Sequence, residues 1–456
     1  MSIVYLFISQ SIGLLLGIAK SLILPIFLTI DDFGYWQIYL LYVGYLGVLS
    51  FGFNDGLLAR YGKFNFSELP IKKIGSSIKF FMIFILMLSL ICFLAVYYLM
   101  DNEKKYIFLL IIMNIPISIL TGIFLFLLQS TNQIKKYSVF STVDKILMIM
   151  TILILYIFDF KNIYIIIIVD TLSKLIQMVM LSINFKVMLL QKIILTKSIF
   201  LEIIENIKRG SFILMTNLIG MLLFGYGMFL IERTKDIEVY SNYSLSISTT
   251  NILLLFINAM AIFVFPYLSR INKDEINKNV LKIDYLISLS SIFLPLFYFT
   301  IEYVVETFLG NFEMVLFLLP YVFLAVVLQL RYITLLLPIS KLKNNEYTVF
   351  KINVYILIVN ILLTTLAIYY FDSIILVAIV LLISVYFRNL FVYFKVMQLA
   401  NNNKRILLLE SVFYILFLLL IFKTNYIYGF IIYLCFLLIY LIINFKKIKK
   451  LIGSYR

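Results

Sequence analysis

Residues 80–99 read FFMIFILMLSLICFLAVYYL, a stretch without a single charged side chain. A helix needs about 20 mostly apolar residues to cross about 30 Å of hydrocarbon, so this stretch is long enough to span a membrane. Comparable runs recur along the whole 456-residue chain, in which 63% of residues are hydrophobic and 13% are charged. Because this composition leaves too little polar surface to cover a soluble core, the sequence predicts a membrane protein throughout.

The apolar runs predict an all-α, polytopic fold of about 14 transmembrane helices. The predicted spans lie near 3–29, 35–58, 76–100, 106–130, 137–158, 163–187, 210–231, 238–267, 283–302, 312–338, 350–370, 373–396, 406–422 and 427–445. The segment KSIFLEIIENIKRG (197–210) places apolar and charged residues at helical spacing, which is typical of an amphipathic helix at a membrane surface. The predicted domains are therefore an N-terminal lobe of six helices (1–190), a cytoplasmic amphipathic linker (191–209), a second six-helix lobe (210–400), and two extra helices with a basic tail (401–456).

The distribution of lysine and arginine predicts the orientation of the chain. If the even-numbered loops and the C-terminus share one side, that side carries 28 basic residues and the other side carries six. Cytoplasmic loops are enriched in Lys and Arg, so both termini are predicted to be cytoplasmic. The same asymmetry accounts for the net charge of +15, with anionic membrane lipids as partners and no need for nucleic acid.

Several kinds of chemistry are missing from the sequence. There is no histidine, and the two cysteines, Cys92 and Cys435, both fall within apolar segments, so neither a metal site nor a disulfide framework is expected. There is also no GxxxxGK[ST] loop for a nucleotide. The sequence predicts a protein that is not an enzyme and has no cofactor.

Ionisable residues far from a helix end are informative, because burying each of them in hydrocarbon costs at least a few kcal/mol. Lys20 lies deep within the first predicted helix, and its side chain is too short to reach either surface comfortably. Two interpretations remain open for Lys20: it faces a water-filled cavity, or it forms an internal ion pair. Arg331, closer to a predicted helix end, either faces a cavity or snorkels to the surface.

Five other ionisable residues lie within or near the predicted spans. Asp55, between Gly52 and Gly56, either couples an ion or lies in the headgroup region at a loosened helix end. The neighbours Asp144 and Lys145 point in different directions and cannot simply neutralise each other. Asp170 and Lys174 are spaced i,i+4, which favours an ion pair within one helix.

Together these residues define a candidate site with surplus positive charge, which suits an anionic substrate. The candidate substrate-binding residues are Lys20, Arg60, Lys145, Lys174 and Arg331. The candidate ion-coupling residues are Asp55, Asp144 and Asp170.

Three stretches of the chain resemble the polysaccharide flippases of the Wzx type, in the multidrug/oligosaccharidyl-lipid/polysaccharide (MOP) superfamily. The first is LILPIFLTIDDFGYWQIY (22–39), and the second is SFGFNDGLLARYGKF (50–64). The third runs from IKRGSFILMTNLIG (207–220) through IERTKDIEVYSNYSLS (231–246) to FVFPYLSR (263–270). In this last stretch Arg233 follows a glutamate, where the family commonly has Asp-Arg.

The resemblance implies two six-helix lobes around a central cavity that opens alternately to each side, with two C-terminal helices added. It further implies a bacterial inner-membrane flippase whose substrate is an oligosaccharide linked by pyrophosphate to undecaprenol. Polysaccharide polymerase machinery would be a partner. Family precedent for basic residues in the first two helices points to Lys20 and Arg60.

Three alternatives compete with the flippase interpretation. A drug/cation antiporter of the same superfamily would need an acid in helix one, where this chain has Lys20. A membrane glycosyltransferase or polymerase would fit Asp31 and Asp32 in the first outer loop, but the predicted outer loops are too short to hold an acceptor. These two aspartates more simply begin a helix. A scaffold in a polysaccharide assembly complex is the third, and nothing in the chain supports it directly.

The charge asymmetry predicts the outcome of cysteine labelling from outside the cell. In a variant without the native cysteines, single cysteines in the loops 101–105 and 232–238 should react with an impermeant maleimide. Cysteines in 270–278 should not react, because that loop is predicted to be cytoplasmic. Labelling of the 270–278 loop from outside would contradict the predicted topology.

Overall fold

The computed structural model of the chain describes residues 2–453 except 63, 192–195, 270–272, 344 and 398–400. The described part is built from helices joined by short turns, and it contains no strand. The predicted all-α class is confirmed. The topology prediction for 270–278 and the predicted boundary at 400 fall partly outside the described residues, as does part of the predicted linker 191–209.

The helices divide between two compact units. Unit 1 comprises Met1–Gly225 and Asp236–Ser241. Its helices are α1 (Ser2–Ile18), α2 (Leu24–Phe27), α3 (Ile30–Tyr45), α4 (Phe53–Tyr61), α5 (Ile71–Leu99), α6 (Lys105–Ser130), α7 (Ile134–Ile157), α8 (Ile163–Asn184), α9 (Lys186–Leu189) and most of α10 (Lys197–Thr234). The central helix is α6, which packs against α3, α4, α5, α7 and α8.

Unit 2 comprises Tyr226–Lys235 and Asn242–Arg456. Its helices are most of α11 (Ile237–Ser269), α12 (Lys273–Phe293), α13 (Pro295–Phe308), α14 (Val315–Arg331), α15 (Leu337–Leu342), α16 (Glu346–Tyr369), α17 (Ile374–Met397), α18 (Asn401–Lys423) and α19 (Tyr426–Gly453). The core helix is α14, in which every residue from Val322 to Arg331 is buried against α12, α13, α17 and α18. A helix that is apolar on all sides is expected in such a position.

Eleven helices in the described residues are long and apolar enough to cross a membrane, and twelve if one bent pair counts as a single span. The predicted spans near 238–267 and 406–422 coincide with α11 and α18, which are not among those twelve. Helix α10 runs without a break for 38 residues. The segment predicted as an amphipathic linker therefore continues directly into the next span, and the two units divide inside α10 and α11.

The second predicted span is not one continuous helix from 35 to 58. Helix α3 begins at Ile30, where Thr29 is the N-cap residue, so Asp31 and Asp32 occupy the first turn rather than the cap position. A 3-10 turn follows, and the chain then enters the left-handed region at Phe51 and Gly52. The resulting break bends the span by 57° before α4 begins.

Glycines allow α4 to contact the backbone of α10. A Cβ atom on Gly56 would collide with the carbonyl of Asn206, and one on Gly210 would collide with the carbonyl of Gly52. This close approach requires glycine on both helices, as at the small-residue contacts of membrane helices. The break at Gly52 and the position of α4 are thus fixed by the same contact.

Two π-helical turns interrupt the long helices, and each precedes a proline. Ala19–Ile23 leads into Pro25, and Tyr332–Leu336 leads into Pro338. A proline has no backbone N–H and its ring crowds the carbonyl four residues earlier, which is that of Ser21 or Thr334. The wider π turn accommodates this crowding without ending the helix. The two turns contain or adjoin Lys20 and Arg331.

The backbone contact at Gly210 predicts a loss of stability when a methyl group is added there. Gly210→Ala should lower the stability of the folded protein by about 1–3 kcal/mol, because the overlap falls on backbone that cannot move aside. Gly220→Ala on the same helix is the matched control, because its Cβ would meet nothing within 4 Å. Monodispersity in size-exclusion chromatography after heating in detergent measures both variants. Equal heat resistance of the two would contradict the proposed packing.

Candidate functional site

Three charged residues of the candidate set meet inside unit 1. The Nζ atom of Lys20 lies 3.0 Å from Oδ1 of Asp170, and Lys174 donates to Oδ2 of the same carboxylate. Asp170 and Lys174 stand one turn apart on α8, as the i,i+4 spacing predicts, whereas Lys20 comes from the π-helical turn after α1. The observed contact of Lys20 is therefore an internal ion pair, which is one of the two interpretations that the sequence allows.

Two aromatic rings from α3 support these lysines. Trp36 and Tyr39 are fully buried and stacked, with ring centroids 5.4 Å apart. The ammonium of Lys20 lies 5.2 Å from the centroid of Trp36, and that of Lys174 lies 5.2 Å from the centroid of Tyr39. Cation–π attraction to these rings therefore adds to the ion pairs of both lysines.

Neutral hydrogen bonds fix the carboxylate of Asp170 in place. The Tyr39 hydroxyl donates to Oδ2 of Asp170 at 2.8 Å. Asn114 of α6 donates to Oγ1 of Thr171 at 2.9 Å, and it also lies 3.3 Å from the Tyr39 hydroxyl. Helices α3, α6 and α8 thus share one polar network, and breaking it would leave a charge buried in hydrocarbon.

Asp144 and Lys145 of α7 lie at the edge of this cluster, and each contacts a different neighbour. Asp144 accepts a hydrogen bond from Gln177 of α8 at 2.9 Å, one turn beyond Lys174. The ammonium of Lys145 lies beside Gly13 of α1, and no salt bridge to Lys145 is found among the described residues.

The cluster of Lys20, Lys145, Lys174, Asp144 and Asp170 therefore carries one surplus positive charge. The side chains of Lys20 and Lys174 are 18% and 19% exposed, while that of Asp170 is 4% exposed. An approaching anion would thus reach the ammonium groups before the carboxylate. No group of three or more Asp, Glu or Cys side chains in the described part of the chain is arranged to hold a metal ion.

Arg60 lies elsewhere in unit 1, and its guanidinium is held by α10. It donates to both carboxylate oxygens of Glu202, at 2.7 and 3.0 Å, and to Oδ1 of Asn206 at 2.8 Å. Tyr61 and Lys73 contact the same carboxylate, at 2.7 and 2.8 Å. The side chain of Glu202 is fully buried, so this group links α4, α5 and α10.

Asp55 occupies the first turn of α4, just after the break at Gly52. It is 7% exposed, so it is packed within the protein. None of the salt bridges found between described residues involves it. The N-terminus of α4 provides a partial positive charge near this carboxylate.

Arg331 lies in unit 2 and is neither free nor directed to the membrane surface. Its Nε donates to Oδ1 of Asp284 at 3.0 Å, and its two terminal nitrogens donate to Glu410 at 2.5 and 2.6 Å. Within unit 1, Lys20, Lys145, Lys174, Asp144 and Asp170 lie together, while Arg60 binds Glu202 and Asp55 stands in the first turn of α4. In unit 2, Arg331 binds Asp284 and Glu410.

Sequence reasoning missed the partners of the isolated arginines. Glu202 lies in the predicted amphipathic linker, and Asp284 and Glu410 lie near the starts of predicted spans, where an acid ordinarily indicates a headgroup contact. Tyr39 was also missed, although it stands one turn from Trp36. One signal in the sequence could have indicated such partners: each arginine lies in or beside an apolar run without an acid one helical turn away. A buried guanidinium of this kind requires an acidic partner from another helix.

Removing the shared carboxylate should destabilise unit 1. Asp170→Asn leaves Lys20 and Lys174 without their counter-ion, and breaking a buried pair in this way costs about 3–5 kcal/mol. Asp101→Asn is the control, since Asp101 pairs with Lys105 at a carboxylate that is 91% exposed, and such pairs contribute at most about 1 kcal/mol. Melting temperatures of the purified variants in detergent make the comparison. An equal shift for both would exclude a buried ion pair at Asp170.

Comparison of the sequence with known families and proteins gives no assignment. No family model matches the chain. No curated protein matches it either.

Solved structures do resemble the fold. The lipid II flippase MurJ in an inward closed conformation is similar at a TM-score of 0.69 and 16% identity, over 98% of this chain and 99% of that one. The eukaryotic MATE transporter AtDTX14 is similar at 0.57 and 13% identity, over 91% and 100%. An inward-facing multidrug resistance MATE family transporter of the MOP superfamily is similar at 0.53 and 13%, over 90% and 99%. The chain has the fold that these membrane flippases and transporters share.

Proposed function

We propose that the protein is a flippase that moves a polyprenyl-pyrophosphate-linked oligosaccharide from the cytoplasmic to the outer leaflet of a bacterial inner membrane. Both termini are then cytoplasmic, as the loop charges predict. The fold supports a transporter, and the structure that is similar at a TM-score of 0.69 is a flippase of lipid II. The choice of substrate depends on the chemistry of the cluster around Asp170.

The observation that carries the proposal is the incomplete pairing of Lys20. An ammonium has three N–H donors, and Lys20 uses one of them on Asp170 in the described part of the chain. Lys174 shares the same carboxylate, so two cations depend on one anion. A diphosphate has several strong acceptor oxygens, which can bind the remaining N–H donors of Lys20. Its negative charge can also neutralise the surplus positive charge of the cluster.

The transport step follows from the cost of moving charge through hydrocarbon. A bare diphosphate cannot enter the membrane core, but it can bind to Lys20 and Lys174 while the polyprenyl chain stays in lipid. An inside-negative potential favours outward movement of each negative charge by about 2.3 kcal/mol per 100 mV. Asp144, next to these lysines, is the acid we propose for coupling to a proton or sodium ion, and Asp55 is the second.

The same geometry argues against the rival functions. A drug/cation antiporter needs surplus negative charge where the substrate binds, and the cluster around Asp170 has surplus positive charge. The two arginines of the candidate set, Arg60 and Arg331, already bind carboxylates. We therefore propose that they stabilise their units and do not bind the substrate. Lys145, without a salt bridge among the described residues, remains a third candidate for binding the substrate.

Substitutions at Lys20 test the role of its charge in transport. If the ammonium binds diphosphate, Lys20→Arg should retain much of the surface glycan, while Lys20→Ala and Lys20→Gln should lose most of it at equal protein abundance. Lys161→Ala is the matched control, because Lys161 pairs with an exposed acid. Glycan is measured on intact cells and protein by immunoblot. Normal glycan in Lys20→Ala cells at normal abundance would refute the proposal.

Reconstitution separates transport from enzymatic activity. Vesicles containing the purified protein should transfer a labelled polyprenyl-pyrophosphate oligosaccharide between leaflets, whereas the same lipid without phosphate should not move. No sugar transfer and no ATP hydrolysis above a boiled control are expected. Movement of a lipophilic cation in place of the anionic lipid would support the antiporter instead.

A further inference from the structure

Unit 2 encloses a charged group that the proposed transport step does not use. It consists of Asp284 on α12, Arg331 on α14 and Glu410 on α18. The side chain of Asp284 is fully buried, and those of Arg331 and Glu410 are 9% and 4% exposed. Two carboxylates and one guanidinium leave one surplus negative charge in the interior, and burying such a charge costs several kcal/mol. The group therefore needs one more positive charge.

Glu410 already has the contacts of an ionised carboxylate. Both of its oxygens accept from the guanidinium of Arg331, at 2.5 and 2.6 Å, and Ser291 donates a further hydrogen bond at 2.9 Å. This bidentate arrangement is the strongest form of an Arg–carboxylate pair. The positive charge of Arg331 is thus largely committed to Glu410.

Asp284 has weaker compensation. It receives one bond from Nε of Arg331 at 3.0 Å, and its Oδ2 lies 2.5 Å from the Tyr393 hydroxyl. A phenol is both a donor and an acceptor. The short contact therefore suits either an ionised Asp284 that accepts from Tyr393 or a neutral Asp284 that donates to it. The second arrangement removes the surplus charge without disturbing Arg331.

A small cavity lies beside this group and is a route by which a proton could arrive. Its volume is about 30 Å³, and its lining includes Tyr393, Arg331, Glu410 and Asn389. That volume is sufficient to hold water. The Oδ1 atom of Asn389, a residue 7% exposed, is buried without a hydrogen-bond partner in the described part of the chain. Asn389 therefore offers an acceptor for a water molecule or hydronium ion.

We propose that Asp284 is a proton-binding site that is loaded from this cavity through Tyr393. A hydronium ion in the cavity gives its proton to Oη of Tyr393, while the Oη–H proton moves to Oδ2 of Asp284. A water molecule remains, Tyr393 is again a neutral phenol, and Asp284 is a neutral acid. The net change is the uptake of one proton, and the reverse sequence releases it.

Other charged and titratable groups lie on the elements around the site. They are Lys282 and Tyr285 on α12, Tyr332 in the π turn, Tyr386 and Arg388 on α17, Tyr414 on α18, and Tyr440 on α19. Arg388 bonds Gln329 at 2.7 Å and lies 3.9 Å from the ring centroid of Tyr332, and no salt bridge to an acid is found for it among the described residues. A sodium ion and a hydronium ion in the cavity would both be repelled by the guanidinium of Arg331, but only the proton can leave the cavity through Tyr393 and reach Asp284.

Infrared difference spectroscopy tests the site without any transported substrate. Purified wild-type protein, titrated between mildly acidic and alkaline pH, should show the carbonyl stretch of a buried protonated carboxyl group. Asp284→Asn should lose this band. All spectra are recorded in a Glu302→Gln background, because Glu302 is another acid of unit 2 with a buried unpartnered oxygen, Oε2, and would add a band of its own. Glu313→Gln in the same background is the control and should retain the band, because Glu313 is exposed. A band that persists in Asp284→Asn, or that disappears in Glu302→Gln alone, would overturn the assignment.

Two further measurements keep the proposal testable if Asp284→Asn does not fold. Tyr393→Phe should keep the band but take up the proton more slowly after a pH jump, and an unchanged rate would contradict the relay. Thermal stability should be the same in sodium and choline chloride. Stabilisation by sodium that Asn389→Ala abolishes would replace the proton by a metal ion. These measurements do not depend on translocation, so their failure would leave the proposed flippase function untouched.

Discussion

The cost of an ionised side chain in hydrocarbon governs how each unit of this protein is assembled. A buried charge is stabilised by a partner of opposite charge, and three basic residues here find such partners on other helices. Lys20 reaches Asp170, Arg60 reaches Glu202, and Arg331 reaches both Asp284 and Glu410. Apolar packing between membrane helices has little directional preference, so these pairs and the glycine contact between α4 and α10 specify which helices are neighbours.

Much of the fold follows from the sequence, because hydrocarbon thickness fixes the length of a span. The run at 80–99 and its counterparts predict helices whose positions the structure confirms. The break after α3 was not predicted, although Gly52 marks it, because a glycine in an apolar run is also tolerated within a continuous membrane helix. The uninterrupted course of α10 was missed for a related reason: the sequence pattern records which residues are polar, not where a helix leaves the membrane.

The charged residues of the candidate site could be predicted from the sequence, but most of their ion-pair partners could not. The depth of Lys20 in an apolar run marks it as a residue that needs a partner, and the i,i+4 spacing identifies one contact of Asp170. The contact between Lys20 and Asp170 joins residues 150 positions apart, and nothing in a single sequence encodes that distance. The π-helical turns also could not be predicted from the sequence alone. Pro25 and Pro338 indicate a disturbance, but whether the helix kinks, ends or widens depends on the packing around it.

The position of Glu410 has a consequence for biosynthesis. Glu410 follows Arg331 by 79 residues, so Arg331 leaves the ribosome well before its bidentate partner exists. At about 5–20 residues per second the interval is roughly 4–16 s. During that time Asp284, made earlier, is the carboxylate of this group that can pair with the guanidinium. A ribosome that stops before α18 therefore leaves Arg331 with its bond to Asp284 but without its bidentate pair, so the docking of α18 completes the contacts of α14.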